Sequence, residues 1–322
     1  MIYVFGGNGF VGRYLVEELV KDNDVTICDL QDDLVHHDPA NVKYKKTDIR
    51  QISQLAQLHF QADDLIINLA ANQYHQKVPK NRFEYFHSTN VVGTENILSS
   101  AYQAGVRKYL MLSTDMIYGK PQYLPVDTNH PKNPFGPYGQ SKKECEEICK
   151  KYRQKGMNIT IFRPRMINGP GRLGILVKLF KLMEKNLPVP IIGNGENHYQ
   201  MISVFDCVSA ILCAIKRGFP NKEYNLGSLN PPNVKTLLKN VITSIHSHSI
   251  LMCLPGKVTK KILAFLDKLG FSLMYPEQFM IADEEYILDI SETIADLEWE
   301  PKYNDMDMLL EAYKSYLEQK GE

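Results

Sequence analysis

The sequence predicts an α/β fold, with a doubly wound parallel sheet followed by a smaller α/β C-terminal domain. Three observations predict it. Short β-branched runs alternate with longer amphipathic stretches through the first 165 residues, the pattern of a parallel sheet covered on both faces. A glycine-rich turn, Gly6-Gly7-Asn8-Gly9-Phe10-Val11-Gly12, directly follows the first run. Past residue 165 the alternation loosens into turns at 169–171, 188–190, 193–195 and 230–232, where glycine and proline cluster.

Taken in order, residues 2–5 form the first strand. Residues 10–20 form a helix, with Val11, Leu15 and Leu19 four apart on one face. Strands follow at 25–28, 42–45 and 65–69, and a long helix spans 83–103. Residues 108–112 are a strand, 138–153 a helix and 159–162 a strand. Shorter helices fall at 173–184 and 207–216. This divides the chain into a cofactor domain at 1–165, rejoined by segments within 196–228, and a mainly substrate-binding domain at 166–322. Residues 258–269 read as an amphipathic helix with Ile262, Phe265, Leu266 and Leu269 on one side and Lys260, Lys261 and Lys268 among them. A cover for the substrate domain is the ordinary reading of such a helix; a membrane-surface helix is the other.

A chain of 322 residues accommodates one large domain and a smaller one. Formal net charge is zero and no long basic run occurs, which argues against nucleic acid as a partner. No apolar stretch reaches the ~18 residues a membrane span needs. The first residues enter a strand with no leader-like series, so a cytoplasmic protein is expected. The six cysteines are scattered without a C-x-x-C and read as reduced thiols. Cys145 and Cys149 are four apart on a helix, where a metal or redox use is the minor reading. His246 and His248 have no acidic partner nearby, and no metal is expected. His75 and His87 read as ordinary loop or surface histidines.

The glycine turn sits between a strand and a helix. There glycines let backbone N–H groups approach a diphosphate, and the helix N-terminus adds partial positive charge. The spacing of Gly6, Gly9 and Gly12 is G-x-x-G-x-x-G. Asp29 ends the second strand, 20 residues beyond Gly9. A carboxylate there accepts hydrogen bonds from ribose hydroxyls and repels a 2′-phosphate, which favours NAD over NADP. Together these define a Rossmann-type cofactor site.

Tyr138-Gly-Gln-Ser-Lys142 follows Pro137 at a helix start, and four-residue spacing puts phenol and ammonium on one face. A phenol with a pKa of about 10 is a poor base at neutral pH. A nearby lysine charge and a positive nicotinamide stabilise the phenolate. Tyr138 then removes the proton of a substrate hydroxyl as hydride leaves the same carbon.

With these pieces the chain resembles the extended short-chain dehydrogenase/reductases of the NAD-dependent epimerase/dehydratase type. The matching motifs run in family order. They are the glycine turn, Asp29, Thr47-Asp48-Ile49, Asn68-Leu69-Ala70-Ala71 and Asn90-Val-Val-Gly-Thr94, then Leu112-Ser-Thr-Asp-Met-Ile-Tyr-Gly119, Tyr138–Lys142, Arg163-Pro164, Gly169-Pro170-Gly171 and Tyr224-Asn-Leu-Gly227. The resemblance implies that Asp48 and Ile49 lie beside the adenine and that Ala70 and Ala71 line the cofactor diphosphate. It extends the cofactor contacts to Phe10, Val11, Leu30, Leu69, Asn90 and Pro164. It implies that Thr114 holds the reacting hydroxyl beside Tyr138, and that Lys142 also grips the nicotinamide ribose. It further implies a homodimer pairing the helix near Asn90 with the one starting at Tyr138.

The departures from the family pattern concern the substrate. Family dehydratases follow the equivalent of Asp115 with a glutamate; here Met116 stands there and cannot transfer a proton. A simple 4,6-dehydratase is therefore disfavoured, and Asp115 is read either as an acid near the substrate or as a polar supporting residue. Arginines that commonly grip a substrate diphosphate are replaced by Tyr199 and by Tyr286 and Ile287, and a common asparagine by Met166. Arg165 and Arg172 are candidates to supply that charge instead, with His198 and Gln200 adding hydrogen bonds. Arg172 reads equally well as a surface arginine after a glycine turn. Asn72, Gln73 and Tyr74 follow a strand's carboxyl end, where ligands of such sheets sit, and Met116 and Tyr199 complete the expected substrate wall. The expected function is a nucleotide-sugar epimerase working through a transient keto-sugar. The alternatives are a net dehydrogenase of a hydrophobic alcohol and a non-catalytic NAD-binding regulator.

Overall fold

The strands alternate in what they bury, and this decides the layering. In Ile2–Phe5 (β1), Ile2 and Val4 pack on one side of the sheet with the helices Phe10–Leu19 and Val204–Lys216. Tyr3 and Phe5 pack on the other with Gly93–Gln103 and Pro137–Gln154. Period-two alternation with both faces apolar is what a sheet sandwiched between helices requires. The computed structural model describes residues 1–31, 41–74 and 78–321; His75 lies outside them.

The remaining strands are Val25–Asp29 (β2), Val42–Lys46 (β3), Leu65–Asn68 (β4), Lys108–Leu112 (β5), Asn158–Pro164 (β6), Met166–Asn168 (β7), Val189–Ile192 (β8), Met201–Ser203 (β9), Glu223–Leu226 (β10) and Leu251–Leu254 (β11). Seven of them make one parallel sheet in the order β10-β6-β5-β4-β1-β2-β3. This is the doubly wound Rossmann-type arrangement. Chain direction across the sheet reverses between β1 and β4, opening a crevice at their carboxyl ends. β10 comes from the chain's later part, so that part returns to the main sheet. Two short parallel pairs, β7 with β9 and β8 with β11, extend beyond it.

The long helix expected at 83–103 runs over this span with an interruption. Arg82–Phe86 and Gly93–Gln103 are α-helical, and His87–Val92 between them is wound as a π-helix. A π-turn widens the helix locally and re-aims the side chains it carries. Here it carries Asn90, which reaches two other elements at once. No helix is predicted over 234–244 or 305–320, yet Val234–Ser244 and Asp305–Lys320 are both helical. With Leu176–Glu184 they enclose a separate apolar cluster that includes Leu176, Phe180, Leu237, Val241, Leu309 and Tyr316.

Candidate active site

The glycine turn is shaped by how close other backbone comes to it. Gly6 has φ +77°, and a Cβ there would stand 2.8 Å from the Ala70 nitrogen. At Gly12 it would stand 2.3 Å from the Gly6 carbonyl oxygen, and at Gly9 3.0 Å from the same atom. Backbone on both sides cannot yield, so only glycine fits. The result is a cradle at the N-terminus of Phe10–Leu19, pressed against Leu69 and Ala70 at the end of β4. The shape fits a dinucleotide diphosphate.

Asp29 belongs to the same cradle. One carboxylate oxygen accepts from the Asn8 amide at 3.1 Å and the other from the Leu30 amide at 2.7 Å. Its carboxylate is thus held beside the glycine turn, and the Leu30 side chain is exposed. Asp48 forms a two-pronged ion pair with Arg50, with contacts of 2.6 and 2.8 Å. The Arg50 hydrogen bonds outweigh partial burial and hold the Asp48 carboxyl below the usual range. Ile49 is buried under Gly93, where a Cβ would collide with its side chain. Phe10 and Val11 open the first helix, and Ala71 follows Ala70 at the crevice. Pro164 ends β6, paired with Leu226.

Asn90 is 1% exposed and ties the segment after β4 to the helix Pro137–Gln154. Its amide nitrogen donates to Ser141 Oγ at 2.9 Å and to the Asn72 carbonyl at 3.2 Å, and its oxygen accepts from the Asn72 amide at 2.8 Å. Asn72 in turn donates its side-chain amide to the Tyr85 carbonyl and the Thr89 hydroxyl, so it faces the helix beside it. Cys145 donates to the Asn90 carbonyl at 3.0 Å, and Cys149 packs 3.8 Å from the Met111 sulfur. Both thiols are buried among helix and sheet residues.

Tyr138 and Lys142 occupy the first turns of Pro137–Gln154, and both are buried. The Tyr138 phenol lies beside the Thr114 hydroxyl, two residues past the end of β5, where the backbone is extended. Burial raises the Tyr138 pKa. The Arg172 guanidinium opposes the rise, while the Glu277 and Asp115 carboxylates add to it. Burial lowers the Lys142 pKa. The Glu146 carboxylate opposes that fall, but it is itself paired with Arg163 and Lys132, and among the described residues no carboxylate lies within ion-pair distance of Lys142.

The other residues expected on the substrate side divide into two groups. Gln73 and Arg172 come together: Arg172 Nη2 donates to Gln73 Oε1, and its guanidinium lies 5.6 Å from the Phe10 ring centre. Arg172 is therefore a half-buried residue turned toward Gln73 and Phe10, and desolvation lowers its pKa. Arg165, by contrast, is 2% exposed and ion-paired with Asp115. Its guanidinium is sandwiched between the Tyr199 and Tyr286 rings, at 4.4 and 4.0 Å from their centres. Tyr199 and Tyr286, which replace family arginines, thus flank an arginine of the chain's own. Gln200 uses both ends of its amide, donating to the Ser228 carbonyl at 2.6 Å and accepting from the Leu288 amide at 2.9 Å. His198 pairs with Glu285 at 2.8 Å. Met116 follows Asp115 in a short 3₁₀ turn, and its amide donates to the Thr114 hydroxyl at 3.2 Å.

Sequence reasoning missed Glu277. Its buried carboxylate accepts from the Tyr138 and Gly139 amides, both at 3.0 Å, and from the Tyr74 hydroxyl at 2.7 Å. It caps the helix that carries Tyr138, where negative charge meets the positive end of the dipole. Tyr74 stands edge-on to both Tyr138 and Phe86, and Tyr275 stacks on Tyr74 at 4.4 Å. Nothing local in the sequence signals Glu277, because its partners lie 139 and 138 positions away.

A dinucleotide cradle with a buried tyrosine and lysine one helical turn apart defines an NAD-dependent enzyme of the extended short-chain dehydrogenase/reductase kind. The chain belongs to the NAD dependent epimerase/dehydratase family, whose model matches residues 2–227, and its cofactor is NAD. A putative UDP-glucose 4-epimerase of Methanocaldococcus jannaschii is 32% identical over 249 residues, covering 74% of this chain and 80% of that protein. An Escherichia coli O157:H7 protein named N-acetyl-alpha-D-glucosaminyl-diphospho-ditrans,octacis-undecaprenol 4-epimerase is 28% identical over 258 residues, covering 79% and 75%. The crystal structure of a Thermotoga maritima UDP-glucose 4-epimerase with UDP-glucose superposes with a TM-score of 0.77 at 24% identity, over 100% of this chain and 99% of that one.

Proposed function

We propose that the protein epimerises a sugar carried on a diphosphate, most simply a nucleotide sugar, through a transient keto-sugar. The observation that carries this reading is the buried Tyr138 phenol beside the buried Thr114 hydroxyl, one helical turn from Lys142. Thr114 orients the substrate hydroxyl. Tyr138 accepts its proton and later returns it, and Lys142 together with Arg172 stabilises the phenolate while it lasts. NAD bound there would supply the acceptor for the hydrogen and its electron pair from the same carbon and their return to the other face, so there is no net oxidation. Gly6, Gly9, Gly12, Ala70 and Ala71 hold the diphosphate of NAD, and Asp29 its ribose. Lys142 also holds the nicotinamide ribose. Arg172 with Gln73 grips the substrate diphosphate. Arg165 holds Asp115 in place beside Thr114.

In this reading residues 1–165, with the returning 196–228, form the cofactor domain, and the rest forms the substrate domain. A homodimer pairs Gly93–Gln103 and Pro137–Gln154 with their copies. Val92, Glu95, Asn96, Glu147, Ile148 and Lys151 line a surface hollow of about 430 Å³ between these helices, which supports that pairing.

The test is NMR of the purified protein with a panel of UDP-, GDP-, CDP- and dTDP-sugars and a polyprenyl-diphosphate sugar. Epimer appearing without added NAD, and a loss of about 10³-fold or more in Tyr138→Phe, is the expected result. NADH accumulating with an alcohol substrate would favour a net dehydrogenase. Full activity in Tyr138→Phe would remove the catalytic assignment.

A further inference from the structure

The helix Gly256–Lys268 is anchored on one side and open on the other. Its inner side is held by Asp267, which receives two hydrogen bonds from Arg82 at 2.6 and 2.9 Å, and by Lys260, ion-paired with Asp283. None of its side chains is buried. Val258, Ile262 and Phe265 recur at three- and four-residue spacing, and Leu269 continues the series just past the last turn. They form a single stripe. All four are more than half exposed, Phe265 at 62%, and the chain runs on with Phe271 at 69% and Leu273 at 55%.

Charge decides what such a stripe meets. Lys257, Lys261 and Lys268 are exposed, and at about 100° per residue all three fall on one flank of the stripe. None of them has a carboxylate partner among the described residues. Lys178 adds a fourth cation at the far end, donating to the Leu273 carbonyl at 2.7 Å. The helix's own carboxylate, Asp267, is turned inward onto Arg82. The open face therefore offers apolar side chains and uncompensated positive charge. A second copy of the chain would bring the same cations against it. An anionic bilayer offers acyl chains for the stripe and negative headgroups for its flank.

We propose that residues 257–273 bind the surface of an anionic lipid bilayer, with the helix lying in the interface plane. Two residues beyond Leu273 the chain reaches Tyr275, which stacks on Tyr74, and Tyr74 meets Tyr138 at 5.9 Å. A docked protein thus holds its catalytic tyrosine a few side chains from the bilayer. The inference does not depend on which sugar reacts.

The experiment is vesicle flotation of the full chain, comparing phosphatidylcholine alone with phosphatidylcholine containing phosphatidylglycerol. Recovery with the phosphatidylglycerol vesicles, falling as salt rises, is expected. The double variant I262Q/F265Q should bind at least tenfold more weakly. Each of K257Q, K261Q and K268Q should weaken binding about fivefold, from ~1 kcal/mol per charge. These positions are exposed, so melting temperatures should match the parent protein. No recovery on anionic vesicles, or recovery unchanged in I262Q/F265Q, overturns the proposal. So does self-association that I262Q/F265Q abolishes in a protein that binds no vesicle, which would assign the face to a second copy.

Discussion

The two walls of the cleft are built differently. On the cofactor wall, backbone meets backbone: the glycine turn, the end of β4 and the Asp29 carboxylate lie within one strand–helix–strand unit and its immediate neighbour. On the proposed substrate wall, side chains from distant parts of the chain meet in pairs. Asp115 meets Arg165, Gln73 meets Arg172, and Tyr138 and Tyr74 share Glu277. The first wall tolerates almost no substitution because its atoms have nowhere to move. The second depends on partners, so one change leaves another group buried and unsatisfied. That difference suits a family in which one cofactor is kept while substrates vary.

The sharpest test of the rigid wall is Gly12→Ala. Its Cβ would stand 2.3 Å from one carbonyl oxygen and 2.6 Å from another, both backbone. A loss of about 3 kcal/mol or more is expected, together with loss of bound NAD. Thermal unfolding and NAD content of the purified protein check it, and an unchanged melting temperature would remove the rigid-cradle account.

Glu277→Ala probes the partnered wall. It strands two amides and a phenol in a buried site, an expected cost of about 2–3 kcal/mol. Turnover should fall because the Tyr138 end of the helix loses its cap, while NAD affinity should hold. Reduced NAD affinity at normal turnover would reverse the contrast between the walls.

Asp305 gives a pH-dependent version. Its carboxylate accepts from the Met201 amide at 2.9 Å and from the Ser228 hydroxyl, joining the C-terminal helix to β9 and to the residues after β10. Burial lifts its pKa from 3.8 to about 6, against the pull of these donors. Between those values the folded protein keeps a proton that the unfolded chain releases. The stability contributed by the neutral acid is therefore present below pH 4 and fades as pH rises to about 6. Asp305→Asn should remove that slope and be more stable than the parent at pH 7 by roughly 1–3 kcal/mol. Denaturant melts at pH 4 and pH 7 measure it; a slope that survives the substitution would assign it to other groups.

The smallest expected effect is Asp29→Ala. About tenfold weaker NAD binding and relaxed discrimination against NADP are expected, read by calorimetry with both cofactors. Unchanged binding of both would move the ribose contact elsewhere.

What was legible followed the same division. The strand–helix alternation from 2 to 164 and the cofactor turn were readable because their causes are local: period, glycine spacing and one acidic residue at a strand end. The π-wound turn at His87–Val92 was not, since the flanking periodicity reads as one continuous helix. Arg165 illustrates the limit on the substrate side. Its charge suggested a phosphate grip, but only coordinates reveal that Asp115 and two tyrosine rings already surround it.

By itself the sequence determined the sheet, its cofactor and the tyrosine–lysine helix, because hydrophobic period and backbone sterics act between near neighbours. Only the tertiary structure decided which arginine pairs with Asp115 and which with Gln73, which carboxylate caps the tyrosine–lysine helix and which apolar stripe stays uncovered. Those outcomes depend on burial and pairing between residues tens to hundreds of positions apart, and such distances leave no periodic trace in the chain.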